Sequence, residues 1–132
     1  MAYHMEVVGE DDYLHVYVTG DNTPEDAIAY LDQIRRNCAE QGCPKVLIEE
    51  NLTGPPMGTV DVYDVVDAAS RGVAPAIRHI AFVDTNPDHD FAQMKFAETV
   101  AVNRGVNIKV FRDVPSAQAW IRSRPTAVLS YP

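Results

Sequence analysis

From Tyr13 onward, short apolar runs alternate with longer stretches of helical period, four times over. Strands that alternate with helices at this spacing close into a mainly parallel sheet joined by right-handed crossovers. The runs are Tyr13 to Thr19, Val46 to Glu49, His79 to Asp84 and Asn107 to Phe111. Ahead of them, Met5 to Val8 reads as a further strand, joined to the next through Gly9-Glu10-Asp11-Asp12, a polar loop suited to a hairpin. In the register that pairs Val8 with Tyr13, Glu6 faces His15, a contact sufficient to explain that histidine. The length of 132 residues suits a single domain able to bury its own core.

The helices carry their own punctuation. Thr23-Pro24-Glu25-Asp26 opens the first: Thr23 caps, Pro24 suits the first turn, and Asp26 sits three after the cap. Ile28, Leu31, Ile34 and Cys38 form its apolar stripe, and Gly42 stops it. The stretch Asn51-Leu52-Thr53-Gly54-Pro55-Pro56-Met57-Gly58 is too punctuated for regular structure. Thr59 is the expected cap of a second helix, with Val62, Val65, Val66 and Ala69 inward and Asp61, Asp64 and Asp67 outward; Asp67 can pair with Arg71 one turn on. Asn86-Pro87-Asp88 starts a third helix running to Arg104, with Phe91, Met94, Ala97 and Ala101 as its stripe and Gly105 as its stop. Asp113 caps the last, which Ala117, Trp120 and Ile121 should dock and Pro125 should end.

Charge and composition restrict the partners. Eleven Lys and Arg against 19 Asp and Glu leave a net charge of −8, which repels phosphate backbones and anionic membranes, so nucleic acid is excluded as a partner. No window approaches the ~20 apolar residues of a membrane helix, and Met1 to Asp12 lacks a signal-peptide pattern, so a cytoplasmic protein without membrane insertion is expected. Cys38 and Cys43, four residues of spacer apart, match neither a redox pair nor half of a zinc site and read as reduced thiols.

Ligands of such sheets collect beyond the carboxyl ends of the strands. That edge holds Glu49, Glu50 and Asn51, then Asp84 and Asn86, then Arg112 and Asp113. Asp61, Asp88, Asp90 and Asp113 already answer the helix dipoles there and would repel an incoming phosphate, which disfavours a nucleotide. Glu50, Asp84 and Asp88 are the set best placed to converge on a hard cation, but capping accounts for Asp88 and Asp113 without a metal. None of Ser70, Ser116, Ser123 and Ser130 lies in a nucleophile elbow. The expectation is therefore no catalytic residue, no metal and no cofactor. One sheet face is the more promising surface. If helices cover only the Leu14, Val16, Val18 side, then Tyr13, His15, Tyr17 and Phe111 lie with Leu47 and Ala81 on the other, a candidate homodimer interface.

The hairpin, the strand and loop Val46-Leu47-Ile48-Glu49-Glu50-Asn51-Leu52-Thr53-Gly54, the strand Ile80-Ala81-Phe82-Val83-Asp84 and the closing Val110-Phe111-Arg112-Asp113-Val114-Pro115-Ser116-Ala117-Gln118-Ala119-Trp120-Ile121 together resemble bacterial SpoIIAA-like proteins. These belong to the STAS grouping of sulfate-transporter and anti-sigma-factor-antagonist domains. The resemblance covers about residues 4–122 and leaves 123–132 as a C-terminal tail of a single 1–132 domain. It implies a β-α superhelix with helices mostly on one sheet face, non-enzymatic action through protein contacts, and a fold shared with lipid-binding CRAL-TRIO domains. In the anti-sigma antagonists a phosphorylatable serine opens the helix after an Asp-Leu-Ser strand end. Here that strand end reads Asn51-Leu52-Thr53, and Thr59 is the residue that aligns by position, without the Asp-Ser-Ser-Gly motif around it.

The expected function is a small STAS-like binding or regulatory module, dimeric and without a reaction of its own. The alternative is a carrier of a small apolar or amphipathic ligand, with Asn51, Thr53, Pro55, Pro56, Met57, Asp84 and Asn86 as the ligand edge. An enzyme using the acidic strand ends ranks third.

Overall fold

A computed structural model describes residues 3–73 and 76–125 of the chain. They form, in order, β1 (Tyr3–Gly9), β2 (Leu14–Asp21), α1 (Pro24–Gln41), β3 (Lys45–Thr53), α2 (Thr59–Ser70), β4 (His79–Asp84), α3 (Phe91–Asn103), β5 (Ile108–Phe111) and α4 (Val114–Arg122). The five strands lie side by side in sequence order, β1 antiparallel to β2 and every later pair parallel. This is the α/β hairpin-and-crossover architecture expected from the alternation. The expected tail beyond Pro125 lies outside the described residues.

Pleating divides the sheet into two cores. Val16 and Val18 of β2, Val46, Ile48 and Leu52 of β3 and Ile80 of β4 pack against Ala27, Tyr30, Ile34 and Cys38 of α1, Val65 of α2 and Ala101 of α3. Leu47, Ala81 and Val83 point the other way, onto Ala117 and Ile121 of α4, with Phe111, Val114 and Trp120 at the margin. Three helices thus share one face and the fourth covers the other. Fully buried aliphatic side chains such as Leu47 and Ile121 each contribute about 1.5–3 kcal/mol.

Several local expectations shift. Gly9 pairs with Leu14, so Glu6 faces Tyr17 and His15 faces Val8. The turn is Glu10 to Tyr13, closed by the Glu10 amide donating to the Tyr13 carbonyl at 2.9 Å. The slip is two residues, which leaves every side chain on its expected face. His15 instead reaches across the parallel pair to Glu49 at 2.9 Å and stacks on Tyr17 with ring centres 4.2 Å apart. The third strand continues through Asn51, Leu52 and Thr53, expected as loop; Leu52 is fully buried, and burial outweighs the poor strand propensity around it. Gly58, not Thr59, is the N-cap of α2. The helix expected from Asp88 begins at Phe91, with the Asp90 side chain accepting from the Ala92 amide, because Asn86 to Asp90 are held in a turn by their own side chains.

The first helix keeps its cap and its stop. Thr23 accepts from the Asp26 amide at 3.2 Å, and Gly42 ends the helix at φ 62°, a left-handed conformation that favours glycine. Its core-facing line runs through Ala27, Tyr30, Ile34 and Cys38, with Ile28 and Leu31 half-buried beside it. Burial pushes the Cys38 thiol up to about 12, so it stays protonated in the core.

Candidate functional site

The carboxyl ends of β3 and β4 meet the second turn of α1 at a buried polar cluster. Glu50 follows the apolar run of β3 and is 6% exposed. The Tyr30 hydroxyl, fully buried on α1, donates to one of its carboxylate oxygens; among the described residues the other oxygen has no hydrogen-bond donor. On the neighbouring strand Asp84 binds His89 Nδ1 at 2.7 Å and accepts from the Asn86 amide at 3.0 Å. The second nitrogen of His89 lies 3.1 Å from the Gly54 carbonyl. An imidazolium satisfies both contacts by donating at each.

Burial sets the electrostatics of this cluster. Desolvation pushes the Glu50 carboxyl up to about 7, with Asp84 adding to the rise, while the Tyr30 hydrogen bond and His89 oppose it. Tyr30 is held well above the usual phenol range by burial and by the Glu50 charge. For His89 burial favours the neutral ring, but the hydrogen bonds to Asp84 and Gly54 outweigh it and raise its value.

Behind the cluster lies a cavity of about 140 Å³ between the sheet and helices α1 to α3. Its walls are mostly apolar, with Ile34, Ile48, Val65 and Ala97 among them; Tyr30, Glu50, Asp84 and His89 form one polar group, and Asn22, Ser70, Gln93 and Glu98 also line it. The space is a pocket partly open to solvent and not a sealed void in the core. The loop between β3 and α2 borders it through Pro56 and Met57. That loop is tied down at three carbonyls: Gly54 by His89, Pro55 by Asn22 Nδ2 at 2.8 Å, and Met57 by Gln93 Nε2 at 2.6 Å.

The residues expected at the ligand edge divide between the two sheet faces. Pro56, Met57 and Asp84 line the cavity. Asn86 stands beside it, its side chain donating to the Leu52 carbonyl at 2.7 Å, and Pro55 is exposed on the loop. Asn51 and Thr53 alternate with the core-facing Glu50 and Leu52 and so lie on the opposite face; Thr53 Oγ1 donates to the Gly20 carbonyl. Asp88 is exposed and does not join Glu50 and Asp84; among the described residues no group of three His, Cys, Asp or Glu side chains is placed to hold a metal ion. Of the proposed interface residues, Tyr13 and His15 are each 2% exposed and offer no open surface, while Tyr17 and Phe111 are half-buried. On that face α4 packs over β3, β4 and β5, with Tyr13 in the same cluster. Tyr30, His89 and Gln93 had no motif to mark them.

A second surface lies at the start of α2. Thr59, its first residue, is exposed and makes no side-chain cap bond. Val60 is 73% exposed and Tyr63, one turn on, 43%. Arg104 braces that tyrosine: its Nη2 donates to the Tyr63 oxygen at 2.5 Å, its guanidinium stands 4.9 Å from the ring centre, and its Nε binds Asp67 at 2.7 Å. The expected Asp67 to Arg71 pair is present at 3.0 Å.

No protein-family model matches the chain, and no curated protein matches it in sequence. Its structure is similar to the crystal structure of an anti-sigma factor antagonist from Mycobacterium paratuberculosis, covering 92% of this chain and 96% of that one, with a TM-score of 0.57 and 13% identity. At that identity the likeness is one of architecture: the chain has the fold of an anti-sigma factor antagonist, the SpoIIAA-like α/β arrangement that its closing strand and helix resemble.

Proposed function

We propose that the chain is a regulatory binding module that acts by contact with another protein and carries out no reaction of its own. The observation that supports this most is the exposed pair Val60 and Tyr63, apolar side chains on one side of a helix whose aromatic member is held in place before any partner arrives. A braced aromatic loses little freedom on binding, which favours affinity. Asp61 and Asp64 are exposed beside the pair, so the partner surface that fits is apolar with a basic rim. The shared fold supports the reading, since the structural neighbour is named as an anti-sigma factor antagonist. Thr59 stands at the same end. A phosphate there would gain from the helix N-terminus but would face Asp61, two residues on, and so would act as a modulator of this surface.

A second reading, a carrier of a small apolar or amphipathic ligand, is favoured by the cavity behind Glu50. It is compatible with the first, because the two surfaces are different.

Site-specific photocrosslinking tests the protein-contact reading. With a benzophenone side chain at position 63, in cells of the native host, one protein other than the chain itself should be captured. The same group at Ala39, exposed near the end of α1, should capture none. Val60→Asp should lower the yield at least tenfold, as expected for an apolar anchor at the centre of a contact. Equal capture from both positions, or capture only of a second copy of the chain, would contradict it; the latter would place the expected homodimer on α2 instead.

A further inference from the structure

We propose that the cavity bounded by α1, α2, α3 and the sheet is a binding site for a small neutral amphiphile, a six-membered ring or chain of similar size with one hydroxyl group, whose occupancy is felt at the start of α2. The size follows from the volume. About 140 Å³ is close to that of an engineered apolar cavity that holds benzene, so the ligand has on the order of six to eight non-hydrogen atoms. The single polar group follows from the wall. Most of the lining is apolar, and Glu50 is a buried acid with one oxygen taken by Tyr30 and the other without a donor among the described residues. A hydroxyl suits that oxygen in either protonation state, donating to the carboxylate or accepting from the acid. An anionic head group would meet Glu50, Asp84 and Glu98 against the single cation His89, which Asp84 already pairs, so a carboxylate ligand is rejected.

The route to α2 is short. His89, Asn22 and Gln93 all line the cavity, and the same three side chains hold the carbonyls of Gly54, Pro55 and Met57. A ligand that shifts any of them moves the loop that ends at Gly58, the N-cap of α2. Only this coupling rests on the proposed role of α2; the binding site does not.

Titration of the chain with phenol, benzene and benzoate, followed by amide and methyl NMR, tests the proposal. Phenol should shift the signals of Tyr30, Val65 and Ala97 saturably, with a midpoint on the order of 1 mM, and shift residues 54 to 60 with the same midpoint. At 10 mM it should raise Tm by about 5 °C. Benzene should bind several-fold more weakly, and benzoate at pH 8 at least tenfold more weakly. Ala97→Leu, which fills the cavity, should abolish saturation. If that variant loses its dispersed spectrum, contacts from the phenol ring to the Val65 methyl groups in the unaltered chain decide the site. Absence of saturable shifts, or equal binding of benzoate, overturns the binding site. Saturation at Val65 with residues 54 to 60 unmoved overturns the coupling. Failure of the crosslink at position 63, with phenol binding intact, overturns the protein-contact reading and leaves the cavity site standing.

Discussion

Replacement of Glu50 by glutamine should stabilise the protein at pH 8 by about 1–3 kcal/mol and change it little at pH 4.5. The reason is the offset between the folded carboxyl, pushed up to about 7, and its ordinary value of 4.5. Between those limits the folded state holds a proton that the unfolded chain has released, so stability is full at the acid end, falls as pH rises and levels off above about 7. The full offset corresponds to about 3 kcal/mol at alkaline pH, from which the weaker hydrogen bond of Tyr30 to a neutral amide subtracts. His89 contributes in the same direction. Its raised value gives stability that is present below its ordinary 6.5 and lost as pH rises through the folded value, so the variant should keep a shallow downward slope. Urea unfolding between pH 4.5 and 8 measures both slopes. A Glu50→Gln variant that is less stable by the same amount at every pH would show that burial does not govern this acid.

Replacement of Lys45 by alanine should destabilise the protein by about 3 kcal/mol. Lys45 opens β3 yet is 0% exposed; its ammonium donates to Asp12 in the hairpin turn at 2.8 Å and to the Arg124 carbonyl just past α4 at 2.9 Å. One side chain therefore joins the hairpin turn to the end of α4. Truncation leaves a void where the stem lay and removes the buried cation, so the Asp12 carboxylate and the Arg124 carbonyl both lose their donor. Asp12 is one-third exposed and can rehydrate, which keeps the loss below that of a fully buried pair. Lys45→Met retains the stem and should cost about half as much. The only tryptophan, Trp120, packs on α4 against His79 and Phe111 at 6.0 and 5.7 Å, so its fluorescence reports release of α4 directly. Equal stabilities of Lys45→Ala and the unaltered chain would contradict the clamp.

The order and direction of the elements were legible where local signals marked the boundaries. Thr23 with Pro24, Gly42, Asp113 and the run His79 to Asp84 all stand where the pattern puts them. The departures share one cause: local propensity was outweighed by packing or by a side-chain turn. Leu52 extends β3 through a stretch rich in breakers because its side chain is buried, and Asn86 and Asp90 delay α3 by forming their own hydrogen bonds.

The site was less legible. The acidic strand edge named Glu50, Asp84 and Asn86, but nothing in spacing joins Tyr30, twenty residues upstream, to Glu50. Tyr30 lies outside the stripe of Ile28, Leu31, Ile34 and Cys38, and a tyrosine there reads as an ordinary half-buried residue until the partner of its hydroxyl is seen. Tyr13, Leu47, Ala81 and Phe111 do lie in one cluster, and how open their face is depends on where α4 docks, which is a long-range property. Val60 and Tyr63 carried the only available hint of the α2 surface, being apolar residues on the side of the helix opposite Val62 and Val65.

Native mass spectrometry of the chain purified from its own host tests the central claim, a contact module working through α2, most directly. The predicted spectrum contains a complex of the chain with one different protein, lost in Val60→Asp and weakened when Thr59 carries an added phosphate. A spectrum showing only the free chain or its homodimer, the same for the unaltered protein and for Val60→Asp, would contradict it.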